Sequence, residues 1–351
     1  MRIHLLALPN ASTTKAFSLD GFSQMTIRIA DLLKRLGHYV MLYGGEQNEA
    51  PCDEHIICIS DAERLAYIPP TMYQNALMTH ENPLWKLVNP RLIVEIGKRK
   101  QPRDLIFTIG GNSQKQVTDA HQDLMDVEYS IGYEGNYARY RVYESSAWQH
   151  HCYGMQSIKS VRFYDAVIPG FLDETKEKFV AKPQPYVAYV GRLVPRKGIK
   201  IACEAAKLAG VPLKIVGHGL TELVTYGEYL GALDNAGRDE VLMNASAVYC
   251  PTCYIEPFNY VGIEAQMHGT PVISTDQGGF VETVEHGVSG LRCSTLGEFV
   301  KATKAAVDGG FDRQEIRDRA VRLYGMETAK ENYSAYLSRL DTIWDKGWNT
   351  L

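Results

Sequence analysis

No stretch of the 351 residues approaches the roughly 20 consecutive apolar positions that a membrane-spanning helix needs. The apolar start, Ile3 to Leu8, is shorter than the core of a secretory signal and reads as a first buried strand. Paired cysteines are missing as well. The seven present are odd in number and show no framework spacing, which favours free thiols in a reducing compartment, the cytoplasm. Nor is there an excess of positive charge: 37 Lys and Arg stand against 41 Asp and Glu, a net charge of −4, so bulk nucleic-acid binding by counterion release is not expected. The 30 glycines and 15 prolines are dispersed, which excludes a collagen-like or low-complexity chain. The usual nucleotide fingerprints, a Walker P-loop and GxGxxG, are also absent.

What is present is an ordinary globular composition, 45% hydrophobic and 22% charged, in a chain long enough for two domains at roughly 150 residues each. Apolar residues recur with helical spacing at Phe22, Met25, Ile29, Leu32, Leu33 and Leu36, with Gly37 as the stop. Strand-like runs flank them at Ile3–Leu8 and Tyr39–Tyr43, making a βαβ unit of a parallel sheet. Further strands are predicted at His55–Ile59, Leu105–Ile109, Val127–Gly132 and Asp165–Ile168, with helical stretches near 84–99 and 141–155. Asp173–Pro185 is polar, carries two prolines and reads as a linker. The alternation then restarts: strands at Tyr186–Val190, Leu213–Val216, Ala247–Tyr249 and Pro271–Ser274, and a helix over Ile199–Leu208. The predicted architecture is α/β, with two doubly wound Rossmann-like domains over 1–175 and 186–328, a ligand cleft between them, and a last helix within 329–351 that packs across both.

Four local features lie at predicted strand ends of the second half. Gly191-Arg192-Leu193-Val194-Pro195-Arg196-Lys197-Gly198 brings two cations, Arg192 and Lys197, to a glycine turn, as a phosphate site would, or as a solvated basic turn. Gly217-His218-Gly219 is a second turn that backbone or ligand can approach closely. Glu256-Pro257-Phe258-Asn259-Tyr260-Val261-Gly262-Ile263-Glu264 begins a helix, so the N–H groups of Asn259, Tyr260 and Val261 could take an anion. Glu264 follows Asn259 by about 7.5 Å of helix, a distance suited to ribose hydroxyls, though a solvated carboxylate reads the same way. Last come Gly269-Thr270-Pro271-Val272 and Gly278-Gly279 with Glu282.

Taken together, Gly191, Arg192, Lys197 and Gly198, then Glu256, Phe258 and Glu264, then Gly269 to Val272, then Gly278, Gly279 and Glu282 resemble the retaining GT-B glycosyltransferases, in particular family four of the nucleotide-sugar-dependent enzymes. The resemblance spans about residues 186 to 295. It implies transfer from a nucleotide diphosphate sugar, UDP- or GDP-linked, to an acceptor hydroxyl with retention and without a metal or other cofactor. Arg192 and Lys197 would neutralise the diphosphate, Glu264 would hold the ribose, and Glu256 would contact donor-sugar hydroxyls as an organiser of the transition state rather than a covalent nucleophile. Asn259 departs from the family's glycine, and Arg196 replaces a residue that is often acidic. The first half matches weakly. Its acceptor-side candidates are Gly21, after a Ser/Thr-rich loop, and Tyr133, Glu134 and Arg141 in a segment mixing rings and charges. An epimerase or phosphorylase of the same plan, or a non-catalytic nucleotide-sugar binder, remain the alternatives. Lys98-Arg99-Lys100 with Arg103 form the one basic cluster of the first half, a helix C-terminus or a site for a polyanionic acceptor.

Overall fold

The computed structural model describes residues 1–16, 21–68, 82–160, 162–176 and 178–346. Phe17–Asp20 of the predicted Ser/Thr-rich loop, Glu177 of the predicted linker, and Trp348 lie outside the described residues. The chain divides into two compact units. The first comprises Met1–Glu144, His151–Ile168 and the residues from Ala329 on; the second comprises Ser145–His150 and Pro169–Thr328.

The first unit is built from β1 (Arg2–Leu6), α1 (Gly21–Arg35), β2 (Tyr39–Gly45), β3 (Glu54–Ile59), α2 (Asp61–Tyr67), α3 (Pro83–Arg99), β4 (Leu105–Thr108), α4 (Lys115–Asp119), β5 (Met125–Ile131), β6 (Tyr140–Tyr143), the part of α5 (Ser146–Met155) from His151 on, and β7 (Ala166–Val167). Its seven strands are parallel in the order β3-β2-β1-β4-β5-β6-β7. Strands buried on both faces read as continuous apolar runs, and Ile3, Leu5 and Leu6 of β1 and Leu105 to Phe107 of β4 are all buried. α1 follows its predicted period, burying Met25, Ile29, Leu32 and Leu33.

One predicted element is corrected. Residues 141–155 were expected to be helical throughout, but Tyr140–Tyr143 is a strand and the helix begins only at Ser146. All four strand residues are buried, Arg141 among them, because its Nε donates to Ala138 O at 2.8 Å and its Nη1 to Gln156 Oε1 at 2.9 Å. A charged residue that finds partners inside the fold breaks the alternation by which a strand is recognised.

The second unit continues with β8 (Val187–Val190), α6 (Ile199–Ala209), β9 (Leu213–Val216), β10 (Glu228–Tyr229), α7 (Asn235–Asn244), β11 (Ala247–Cys250), α8 (Tyr260–Met267), β12 (Val272–Thr275), α9 (Phe280–Thr283), β13 (Gly290–Cys293), α10 (Leu296–Val307) and α11 (Arg313–Tyr324), with α12 (Met326–Lys346) closing the chain. Its parallel order is β10-β9-β8-β11-β12-β13. The segment read as a linker is fastened to this unit: Arg313 Nε donates to Val180 O at 2.6 Å, His268 Nδ1 lies 2.6 Å from Lys178 O, and Gln184 N donates to Asn244 O at 2.7 Å. From Ala329 on, α12 groups with the first unit, where Tyr336 Oη donates to Tyr164 O at 3.1 Å and Arg103 pairs with Asp341. Among the described residues no helix is long and apolar enough to cross a membrane.

Candidate functional site

In an open parallel sheet, ligands bind beyond the carboxyl ends of the strands where the order reverses. In the second unit that point lies between β8 and β11, and the loops leaving it are 191–198 and 251–259. Backbone contacts join them to the turn after β9. Leu193 N donates to His218 O at 2.7 Å, Leu220 N donates to Leu193 O at 2.8 Å, and Cys253 N donates to Arg196 O at 2.8 Å. Gly198 makes the approach possible: its φ is +74°, and a Cβ there would sit 1.9 Å from Pro251 O. Gly217 belongs to the same backbone surface, its carbonyl accepting the Tyr229 hydroxyl at 2.8 Å.

On this surface Lys197 Nζ lies 2.7 Å from Glu256 Oε2. Burial alone would lower the lysine's pKa, but Glu256 and Tyr254 beside it reverse the balance and raise it, so the ammonium is charged at neutral pH. Glu256 is buried and rests on the predicted glycine pair. Gly279 N donates to Glu256 O at 2.7 Å, and a Cβ at Gly278 would lie 2.7 Å from Glu256 N. Arg192 is exposed at the mouth of its loop. Burial, with Arg192 second, pushes His218 below its usual range, leaving it neutral at pH 7.

Asn259 has φ +82°, the left-handed region that glycine adopts freely and asparagine tolerates best among the others. Its side chain caps α8 by accepting from Gly262 N at 3.1 Å. The departure from glycine therefore keeps the backbone shape. Tyr260 and Val261 open the first turn of α8, and the Tyr260 ring stands edge-on to Phe258 at 5.0 Å. Glu264 is buried rather than solvated, its Oε1 accepting from Arg238 Nη2 at 3.1 Å. Arg238, one turn into α7 behind the Asp234 cap, carried no motif by which sequence reading would find it. Glu282 caps α5, its carboxylate accepting the N–H groups of Ser146 and Ala147, each at 2.9 Å.

The acceptor-side candidates of the first unit have differing surroundings. Gly21 opens α1 and is exposed. Tyr133 donates to Glu128 Oε1 at 3.0 Å and stands edge-on to Phe22, whereas Glu134 is exposed beside His151. Arg141 is spent on the internal contacts already described. The basic cluster is matched by carboxylates: Lys98 and Arg99 by Glu95, Lys100 by Asp123, and Arg103 by Asp341. That pairing weakens the local field available to a polyanion.

Glu128 holds the 133–138 segment, its Oε2 accepting from Tyr137 N at 2.8 Å and Ala138 N at 3.1 Å. Burial pushes its carboxyl from about 4.5 up to about 7, against these donors. A folded-state pKa above the unfolded one contributes stability at low pH that is lost as pH rises through about 4.5 to about 7, of order 3 kcal/mol here. In Glu128→Gln this slope should vanish. Melting temperatures of the two proteins across that window check it, and a difference that does not vary with pH would refute it.

Residues 172–320 match the family described as Glycosyl transferases group 1. The chain is 34% identical over 143 residues to D-inositol 3-phosphate glycosyltransferase of Mycolicibacterium smegmatis, covering 36% of this chain and 33% of that protein. It is 31% identical over 150 residues to glycogen synthase of Mycobacterium tuberculosis, covering 38% and 36% respectively. The chain thus spans about a third of the length of these curated relatives. Among solved structures, sucrose-phosphate synthase of Thermosynechococcus elongatus shares the fold, with a TM-score of 0.72 over 97% of this chain and 99% of that one at 19% identity.

Proposed function

We propose that this chain, whose residues 172–320 match the group 1 glycosyl transferases and whose GT-B fold is shared with sucrose-phosphate synthase, transfers a sugar from a nucleoside diphosphate sugar to an acceptor hydroxyl. The observation that carries it is the Lys197–Glu256 pair at 2.7 Å, set where β8 and β11 diverge and beside the N-terminus of α8. Breaking the sugar–phosphate bond builds negative charge on the leaving diphosphate and positive charge on the sugar. Lys197 and Arg192, with the first-turn N–H groups of α8, stabilise the former without requiring a metal. Glu264, oriented by Arg238, holds the ribose. Glu256 contacts hydroxyls of the donor sugar and organises the transition state. Configuration is retained because the acceptor hydroxyl enters on the face the phosphate leaves, where the departing oxygen takes its proton. The left-handed backbone at Asn259 keeps the turn that opens α8, since asparagine tolerates this conformation.

A thermal-shift panel of nucleoside diphosphates and diphosphate sugars, with and without magnesium, tests this on wild type and Lys197→Ala. A ligand at a hundred times its dissociation constant adds about 2.7 kcal/mol of stability. Selective, magnesium-independent stabilisation that weakens in the variant is the expected result. A full panel without any shift would remove the donor site and the transferase reading with it. The anomeric configuration of the product, read by NMR, decides retention.

A further inference from the structure

The donor-site loop presents a geometric puzzle. Pro195–Lys197 forms a 3₁₀ turn, in which successive side chains project about 120° apart. Yet the Arg196 guanidinium carbon and the Lys197 Nζ both lie 5.0 Å from the centre of one ring, that of Tyr254. Adjacent cations repel, and water would draw them apart. The ring is half-buried and anchored, because the N–H of its neighbour Cys253 donates to the carbonyl of Arg196 itself at 2.8 Å. Two residues on, Glu256 takes the Lys197 ammonium at 2.7 Å.

We infer that Tyr254 is a positioning residue of the donor site, whose ring gathers Arg196 and Lys197 and presents both to the diphosphate of the donor. The electron-rich face attracts each cation and offsets their mutual repulsion, an interaction that strengthens as water is excluded. Arg196 thereby becomes a third cationic ligand for the diphosphate, beside Arg192 and Lys197, rather than a solvated surface charge. Tyr254 need not touch the substrate; it acts through the two cations. The inference rests on the donor-site reading proposed above.

The test measures dissociation constants for uridine and guanosine diphosphate, and kcat and KM separately, in wild type, Tyr254→Phe, Tyr254→Leu and Arg196→Met. Tyr254→Leu is expected to weaken the diphosphate that wild type binds by about tenfold and to raise donor KM similarly, with kcat changed little. Tyr254→Phe, which keeps the ring but loses the hydroxyl that hydrogen-bonds Lys197 and Glu256, should lose clearly less than Tyr254→Leu. Arg196→Met, at an exposed position that does not threaten folding, should lose several-fold. Equal binding by wild type and Tyr254→Leu, an equal loss in the Phe and Leu variants, or unchanged binding by Arg196→Met would each overturn the inference. Wild type that binds none of the diphosphates of the full panel would instead overturn the donor-site reading, and this inference would fall with it.

Discussion

Lys197→Ala is expected to lower kcat/KM for sugar transfer by about 10²–10³-fold, the usual cost of removing one preorganised group that stabilises a developing negative charge. The lysine is held in place by Glu256 at 2.7 Å and is only partly exposed, so its charge acts where solvent screens poorly. The single substitution also strands Glu256, a buried carboxylate, and can unsettle the loop for that reason alone. The double variant Lys197→Met/Glu256→Gln separates the effects. It removes both charges, so it should recover much of the thermal stability lost in the single variant and none of the activity. Activity within about tenfold of wild type in Lys197→Ala, measured as kcat/KM with saturating acceptor, would dismiss the lysine from the reaction.

The second large effect concerns stability. Arg313, at the start of α11, is buried and donates to Val180 O at 2.6 Å, Ala245 O at 2.9 Å, Met243 O at 2.7 Å and Thr270 Oγ1 at 2.8 Å. These four partners are neutral oxygens. Burial lowers the guanidinium pKa to about 10, which still leaves it charged at neutral pH. Removing the group leaves several buried carbonyls without a donor, each costing about 1–3 kcal/mol in part. Arg313→Met should therefore destabilise the second unit by about 3–5 kcal/mol, read as a lowered urea midpoint. Arg313→Lys should lose most of the same amount, because a point ammonium cannot span a fork of acceptors. A loss below about 1 kcal/mol in the Met variant would show that water or neighbouring chains take over those carbonyls.

The parallel strands were legible because burial on both faces writes them as short apolar runs, as in Leu213–Val216 and Leu105–Thr108. Less was visible where polar residues are buried or apolar ones are few. Arg141 disguised β6 as part of a helix, and β10 is two exposed residues. In α11, Arg313 and Arg319 face inward, so a pattern that treats arginine as outward-facing finds no stripe. The site followed a similar division. Lys197, Glu256 and Glu264 were candidates from the loops that the sequence resemblance singled out. Arg238 on Glu264, Tyr254 beneath two cations and the carbonyl-capping role of Arg313 are contacts through space, which spacing does not record. The tolerance of asparagine at 259 depended on a backbone angle, and no arrangement of residue types states one.

The glycine pair at 278–279 has a consequence for how this site can be exchanged between proteins. With Glu256 seated directly on those two residues, the loop that carries the carboxylate and the loop beneath it are one part in two pieces. A chimera that imports residues 254–264 from a relative while keeping the native 276–282 would join halves shaped by different histories. The smallest cassette that can be transplanted with its geometry intact therefore contains both loops, although some ten residues of helix and strand separate them in sequence.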